Sequence, residues 1–255
     1  MSYDGFRLER DGAVATITLD VPDKLNRVSM TARDQLAAVF DELGDDAAVR
    51  VVVLRGDGPA FTAGGDVAGF LERSPVELSR LHENVAAPER CRKPVIAALH
   101  GYVLGVGLEL ALACDFRIAA EGTELGLPEV KLGMIPGSGG TQRLARLVGL
   151  GRAKDAIMRG RRIGAEEALV LGLVSEVVPT AELDAAVARL ADELAALSPL
   201  ALETAKRVLN AAYDGPLQAG LELEGLAYGI LRTSHDFREG VEAFVEKRPP
   251  GFEGR

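Results

Sequence analysis

The sequence predicts a layered α/β fold, because short β-type runs alternate with helical patterns along most of the chain. Residues 13–20 alternate apolar and polar side chains, as a half-buried strand does. Residues 49–56, 93–99 and 116–122 are more continuously apolar, which is typical of strands buried on both faces of a parallel sheet. We expect these four strands to form the centre of the fold.

Two helical patterns separate these strands. Residues 31–46 have the apolar spacing of an amphipathic helix, which we expect to begin at Thr31. Residues 106–114 predict a buried helix that is rich in Leu and Ala. A membrane span over residues 94–114 is disfavoured, because β-branched residues open that segment and the dipeptide His100-Gly101 interrupts it.

The pattern becomes entirely helical after about residue 180. Ser198 and Pro199 are a helix cap and a first helical residue, and a Gly-Pro pair at residues 215–216 separates the next helix. We therefore expect an α/β core at residues 1–195 and a helical region at residues 196–255. The helical region has too few residues for a core of its own, so it must pack on the α/β core or on another subunit.

Charge and cysteine content narrow the class of protein. The formal net charge of −9 argues against a protein that binds nucleic acid through bulk electrostatics. Two cysteines, Cys91 and Cys114, provide no disulfide framework, and the first residues are acidic with no apolar signal segment. These features favour a reducing, cytoplasmic location with neither nucleic acid nor a membrane as partner.

Several common catalytic patterns are missing. The scattered histidines show no metal-ligand spacing. Ser138 is flanked as Pro-Gly-Ser-Gly-Gly, which departs from the G-x-S-x-G elbow of hydrolases, and the same loop lacks the lysine of a P-loop. Leu110 occupies the third glycine position of a dinucleotide fingerprint.

Two glycine-rich turns remain as candidates for chemistry. The first, residues 63–65, precedes Asp66, which we expect to cap a helix. The second, residues 105–107, precedes the helix that carries Glu109. Free N–H groups at helix starts favour negative charge, so two such turns side by side would form an oxyanion hole. The alternative is a pair of ordinary strand-to-helix turns.

A second carboxylate favours the catalytic interpretation. Glu129 follows Pro128 in a loop stiffened by proline and glycine. Two carboxylates beside an oxyanion hole suit proton transfer at a carbon next to a carbonyl. The alternatives are an ordinary surface glutamate and a glycosidase, although a glycosidase is disfavoured because the chain has no Trp and only 5% aromatic residues.

These motifs resemble the enoyl-CoA hydratase/isomerase, or crotonase, superfamily. The resemblance covers the whole chain through five segments, which read AVATITLDVPDKLN, GPAFTAGGDV, ALHGYVLGVGLELALACDFRIA, GLPEVKLGMIPGSGGTQRL and TSHDFREGVEAFVEKRPPGFEGR. It implies a crotonase-like spiral of repeated β-β-α units with a C-terminal helical trimerisation region. Such chains form homotrimers that often pair into homohexamers.

The resemblance also implies roles for individual residues. The backbone N–H groups of Ala63 and Val106 would hold the thioester oxygen of an acyl-CoA, with Val106 standing where many members have glycine. Glu129 would carry the main acid/base role and Glu109 would hold the water that adds across the C2–C3 bond of a trans-2-enoyl-CoA. The product would be a 3-hydroxyacyl-CoA. No cofactor is expected, because coenzyme A is part of the substrate.

Contacts to coenzyme A are also expected from the resemblance, although the segment at residues 20–30 departs from the usual family pattern. The expected substrate and CoA contacts are Lys24, Leu25, Ala63, Gly64, Gly65, Asp66 and Val106. The basic run from Arg143 to Arg162 would attract CoA phosphates or, alternatively, form a solvated helical face. Lys247 and Arg248 are further candidates.

Three alternatives stay open at this point. A double-bond isomerase of the same family can manage with one glutamate, at the position of Glu129, whereas the presence of Glu109 favours a hydratase. Other acyl-CoA reactions would use the same oxyanion hole. An RNA-binding or scaffold relative is disfavoured by the net charge.

Overall fold

A six-stranded sheet forms the centre of the molecule in the computed structural model, which describes residues 3–255. Its strand order is β1-β2-β3-β4-β6-β9, and all pairs are parallel except β1 with β2. A smaller sheet has the order β5-β7-β8. The strands are β1 (Phe6–Asp11), β2 (Val14–Leu19), β3 (Val51–Gly56), β4 (Val95–Leu99), β5 (Tyr102–Leu104), β6 (Phe116–Ala120), β7 (Glu124–Gly126), β8 (Arg162–Gly164) and β9 (Glu176–Val178).

Helices cover both faces of the large sheet and make up the C-terminal part of the chain. They are α1 (Met30–Asp45), α2 (Pro75–Ser79), α3 (Leu81–Val85), α4 (Ala87–Arg90), α5 (Val106–Ala113), α6 (Gly140–Val148), α7 (Leu150–Arg159), α8 (Ala165–Val170), α9 (Leu183–Ala195), α10 (Pro199–Asn210), α11 (Leu217–Leu231) and α12 (His235–Glu246). Short 3-10 turns lie at Pro22–Lys24, Ala68–Glu72, Glu129–Leu132, Thr180–Glu182 and Ala211–Tyr213.

The large sheet is buried on both faces because its strands alternate between two apolar cores. Val52 and Leu54 of β3 belong to the core shared with α1 and α5. Val51 and Val53, which point to the opposite face, pack with Leu183 and other residues of α9. The period of two residues in a strand therefore explains why these runs are continuously apolar.

The α/β class predicted from the sequence is confirmed, and the C-terminal part of the chain is helical as expected. The predicted strands are present but shorter than expected, as in β4, which begins at Val95 and not at residue 93. The three-residue strands β5, β7, β8 and β9 were not predicted, because so short a run has no detectable period. The division at residue 195 stays a prediction.

Two predicted helix starts differ from the structure. Helix α1 begins at Met30 and not at Thr31, because the hydroxyl of Ser29 accepts a hydrogen bond from the N–H of Ala32 at 3.0 Å. Asp66 caps no helix, since the 3-10 turn that follows begins at Ala68 without a side-chain cap. By contrast, α10 begins at Pro199 with Ser198 as its cap, as predicted.

The segment proposed as an alternative membrane span is divided among three elements. Residues 94–114 contain β4, β5 and α5. Within residues 3–255, every helix is too short or too polar to cross a membrane.

The helical region is tied to the sheet by a buried lysine. The ammonium group of Lys206 on α10 donates hydrogen bonds to the carbonyls of Pro88 and Lys93, at 2.8 and 3.0 Å, and to the carboxylate of Asp115 at 2.7 Å. Asp115 also accepts a hydrogen bond from the N–H of Val95, where β4 begins. All three donors of the lysine are therefore used to hold α10 against the segment that leads into β4.

We predict that Lys206→Met lowers the free energy of unfolding by about 3 kcal/mol at neutral pH, since it leaves the Asp115 carboxylate without its cation. Urea unfolding at matched protein concentration measures the change. Lys154→Met is the control, because Lys154 is exposed and its loss should change stability by less than about 0.5 kcal/mol. Equal effects of the two substitutions would contradict the proposed role of Lys206.

Candidate active site

The two glycine-rich turns lie side by side. The Thr62 carbonyl accepts a hydrogen bond from the N–H of Leu104, and the Thr62 N–H donates to the Tyr102 carbonyl, each at 3.0 Å. This pairing aligns the loop after Thr62 with the end of β5. Gly105 then turns the chain with φ +55° and ψ −128°, a conformation that favours glycine, and α5 begins at Val106.

Some of the backbone N–H groups at these turns are already used inside the protein. The N–H of Ala63 donates to the Leu25 carbonyl at 2.9 Å, and that of Gly64 donates to the Thr62 hydroxyl at 3.0 Å. Within residues 3–255, no acceptor lies within hydrogen-bonding distance of the N–H groups of Gly65 and Val106. The expectation that Ala63 is an oxyanion donor is therefore wrong, because its N–H is used inside the protein, and Gly65 becomes the candidate.

Asn26 shapes the first of these loops, and sequence analysis did not identify its role. It is buried in a left-handed conformation, with φ +53°. Its side-chain amide donates to the carbonyls of Asp57 and Ala60 at 2.8 and 2.7 Å, and its oxygen accepts from the N–H of Val21. These hydrogen bonds place Leu25 where its carbonyl can accept the N–H of Ala63. In the sequence Asn26 lies in the mixed segment DVPDKLNRV, which carries no local signal of this role.

Glu109 is buried, with 2% of its surface exposed, in the first turns of an otherwise apolar helix. Its Oε1 accepts hydrogen bonds from the N–H groups of Ser138 and Gly140, at 2.7 and 2.9 Å. The loop at residues 137–140 thus supplies donors that replace water around the carboxylate. The same loop leads into α6, so Glu109 connects α5 to the start of α6.

Glu129 lies opposite, at the first position of a 3-10 turn after Pro128. Burial raises the pKa of Glu129 to about 7, the hydrogen bond from its own backbone N–H opposes this shift, and the negative charge of Glu109 adds to it. A β-carbon placed on Gly105 would lie 3.3 Å from Oε1 of Glu129, so glycine lets the carboxyl group approach the turn closely. Oε2 is buried without a hydrogen-bond partner among residues 3–255.

Both glutamates line one cavity of about 330 Å³. Gly65 and Val106 line it as well, so the free N–H groups and the carboxyl groups belong to the same site. The rest of the wall is mainly apolar and comes from Val67, Phe70, Leu78, Leu81, Leu132, Met134 and Ile135. The arrangement can polarise a carbonyl oxygen and transfer protons at the neighbouring carbons.

Arg33 also lines the cavity, and sequence analysis missed it. It belongs to the buried stripe of α1, between Ala32 and Leu36, and only 3% of its surface is exposed. A charged residue on the apolar face of an amphipathic helix was the available signal.

Other predicted binding residues lie outside this cavity. Ala63 and Gly64 line it, whereas Lys24, Leu25 and Asp66 do not. Asp66 forms an ion pair with Arg27 at 3.2 Å.

The basic run from Arg143 to Arg162 is largely neutralised by acidic residues. Its ion pairs join Arg143 to Glu89, Arg146 to Asp214, Arg159 to Asp155, Arg161 to Asp155 and Glu167, and Arg162 to Glu124. Arg248 is likewise paired with Glu239 and Glu246. These pairs favour the interpretation of the run as a solvated surface. Its binding of CoA phosphates, and that of Lys247, stay predictions.

The sequence and the fold match known proteins over nearly their whole length. Residues 9–255 match the family model described as "Enoyl-CoA hydratase/isomerase". The chain is 36% identical to the "Short-chain-enoyl-CoA hydratase" of Clostridium acetobutylicum, over 100% of both chains. It is 39% identical to an "Enoyl-CoA isomerase/hydratase" of Mycosarcoma maydis, over 94% of this chain and 92% of the other.

A solved structure has the same fold. The crystal structure of an enoyl-CoA hydratase from Bacillus anthracis is 38% identical, with a TM-score of 0.93, and the match covers 99% of this chain and 100% of the other. Taken with the family model, this full-length similarity shows that the chain belongs to the enoyl-CoA hydratase/isomerase family.

Proposed function

We propose that the chain is an enoyl-CoA hydratase, a hydro-lyase that adds water to a trans-2-enoyl-CoA and releases a 3-hydroxyacyl-CoA. The observation that carries the proposal is the placement of Glu109 and Glu129 in one cavity with the free N–H groups of Gly65 and Val106. The hydratase names of full-length relatives support the same reaction. No cofactor enters the proposal, because coenzyme A arrives with the substrate.

The two N–H groups hold the thioester oxygen. Donors fixed by the backbone stabilise the negative charge that develops on this oxygen when C3 is attacked. The donor of Val106 lies at the start of α5, where the helix dipole adds to the effect. Since Val106 and Gly65 both act through the backbone, the valine side chain leaves the donor intact.

The two carboxyl groups divide the proton transfers. Glu109 and Glu129 hold a water molecule between them. Glu109 takes a proton from this water while the water oxygen forms a bond to C3. Glu129, with a pKa of about 7, is half protonated near neutral pH and delivers a proton to C2. One hydrogen and one hydroxyl are added, and a proton returning from Glu109 to Glu129 resets the site.

Assembly is also part of the proposal. We infer that copies of this chain associate through α11, which has no buried residue although it is rich in apolar side chains. Its exposed side chains include Leu217, Leu221, Leu226, Tyr228 and Ile230. Exposure of so large an apolar helix face to water is unfavourable, and association with another subunit would bury it. A homotrimer or homohexamer would provide that contact. A reducing, cytoplasmic location stays a prediction, with both cysteines buried as free thiols.

We predict that Glu129→Gln lowers kcat for the hydration of crotonyl-CoA by at least about 100-fold, because the amide cannot donate the proton to C2. Loss of the enoyl-thioester absorbance measures the rate, and binding of butyryl-CoA should be unchanged. The control is Glu121→Gln, since Glu121 is an exposed carboxylate in a nearby turn. Hydration by Glu129→Gln at the wild-type rate would refute the mechanism. No hydration of short, long or branched enoyl-CoAs by the wild type, with binding intact, would point to isomerisation.

The pH dependence gives a second prediction. The proton-donating form of Glu129 becomes scarce above its pKa of about 7, so kcat/KM should fall about tenfold per pH unit above that value. The profile is measured from pH 5 to pH 9 under conditions where wild-type folding is unchanged. A rate that stays constant between pH 7 and pH 9 would be inconsistent with Glu129 as the acid.

The assembly proposal is tested by Leu226→Asp, which places a charge on the exposed face of α11. We expect wild-type protein to have the mass of three or six chains by light scattering, and the variant to have a lower mass. Val170→Asp on α8 is the control, because Val170 is equally exposed outside the helical region. A monomeric wild type would exclude the assembly, and an unchanged mass for Leu226→Asp would exclude α11 as its centre.

A further inference from the structure

Arg33 is a buried cation with little to neutralise it. Its Nη1 donates a 3.3 Å hydrogen bond to the hydroxyl of Ser138, and its Nε is buried without a partner among residues 3–255. No carboxylate in that part of the chain forms an ion pair with it within 4.0 Å. Burial of an unpaired guanidinium lowers the stability of the fold, and this cost indicates that Arg33 has a role other than stabilisation.

The guanidinium lies between the two halves of the site. A β-carbon built on Gly65 would be only 2.6 Å from Nη2, so the guanidinium lies directly beside the proposed oxyanion donor. On the other side, Nη1 contacts Ser138, whose N–H donates to Glu109. The Phe70 ring, 5.5 Å from Cζ, covers the outer side.

The charges around Arg33 are consistent with this position. Burial lowers the pKa of Arg33, and the negative charges of Glu109 and Asp34 oppose that shift. Glu109 is thus near enough for electrostatic attraction without a direct ion pair. In a cavity that excludes water, attraction over such a distance is stronger than at the surface.

We propose that Arg33 is a positioning residue of the active site, which holds the loop of Ser138 against Glu109 and supplies the positive charge between Glu109 and the oxyanion donors. It acts through Ser138, whose hydroxyl accepts from Arg33 while its N–H donates to Glu109. Loss of Arg33 would therefore loosen one of the two donors on Glu109 and remove a positive charge that attracts this carboxylate. The role in hydration rests on the proposed function, whereas the contact with Glu109 does not.

A second arginine holds the same loop from outside and serves as a matched control. Nη1 of Arg143 on α6 donates to the Ser138 carbonyl at 3.2 Å, and Arg143 is paired with Glu89. Arg143 does not line the cavity. The charged groups that face Glu109 from its surroundings are Arg33 on α1 and Glu129 in its 3-10 turn. Replacement of Arg143 therefore weakens the loop without removing charge from the cavity.

The test compares Arg33→Met, Arg33→Lys and Arg143→Met in the full-length protein. We expect Arg33→Met to lower kcat for crotonyl-CoA about 10- to 100-fold with KM nearly unchanged, because the reacting groups lose their alignment and a neighbouring positive charge. Arg33→Lys should restore kcat in part, because it keeps a positive charge at this position. Arg143→Met should lower kcat less than Arg33→Met does, because Arg143 does not line the cavity.

Infrared spectroscopy of Glu109 gives a readout that does not depend on the reaction. The signal is the carboxylate band that disappears in Glu109→Gln, and its frequency should shift in Arg33→Met but not in Arg143→Met, because only Arg33→Met changes both the hydrogen bonding and the charge around this carboxylate. An unchanged frequency in Arg33→Met would overturn the inference, even if the wild type proved not to be a hydratase. If Arg33→Met does not fold, Arg33→Gln and Ser138→Ala provide the same comparison, and a kcat equal to wild type in both would also overturn it.

Discussion

The active site depends on one buried carboxylate, that of Glu109, and on the two N–H groups that hold it. Ser138 and Gly140 donate to a single oxygen, so the loop before α6 is fixed relative to α5. This contact makes it possible for an apolar helix to carry a charge at its start. Without these hydrogen bonds, burial of the carboxylate would be strongly unfavourable, and the cavity wall between α5 and α6 would not be held in a fixed position.

Most of the fold can be predicted from local hydrophobic and helix-capping patterns in the sequence. The apolar runs of β3 and β4 reveal a sheet buried on both faces, and Ser198 with Pro199 marks the start of α10. Glu109 stands out as a charge within an apolar run after a glycine-rich turn, and Glu129 stands out because it follows Pro128 in a glycine-rich loop. These signals are local, so they are present before any tertiary contact forms.

The features that sequence analysis missed depend on contacts between distant segments. The N–H of Ala63 is used by Leu25, 38 positions earlier, so Gly65 replaces Ala63 as the candidate donor. Arg33 enters the site from α1 and meets Ser138, 105 positions away. Neither contact leaves a periodic pattern, because each involves one residue whose neighbours look ordinary. The pairing of the basic run with distant acidic residues was hidden for the same reason.

The proposed oxyanion hole uses backbone groups, and this has a consequence for how such a site changes during evolution. The N–H groups of Gly65 and Val106 persist whatever side chain is attached, provided that the backbone keeps its path. The Val106 side chain, by contrast, borders the space beside Gly65, with Cγ1 3.7 Å from where a β-carbon would be. Substitution at residue 106 therefore alters the shape of the acyl pocket while the polarising group stays the same. Substrate preference and reaction chemistry can diverge independently at a single position.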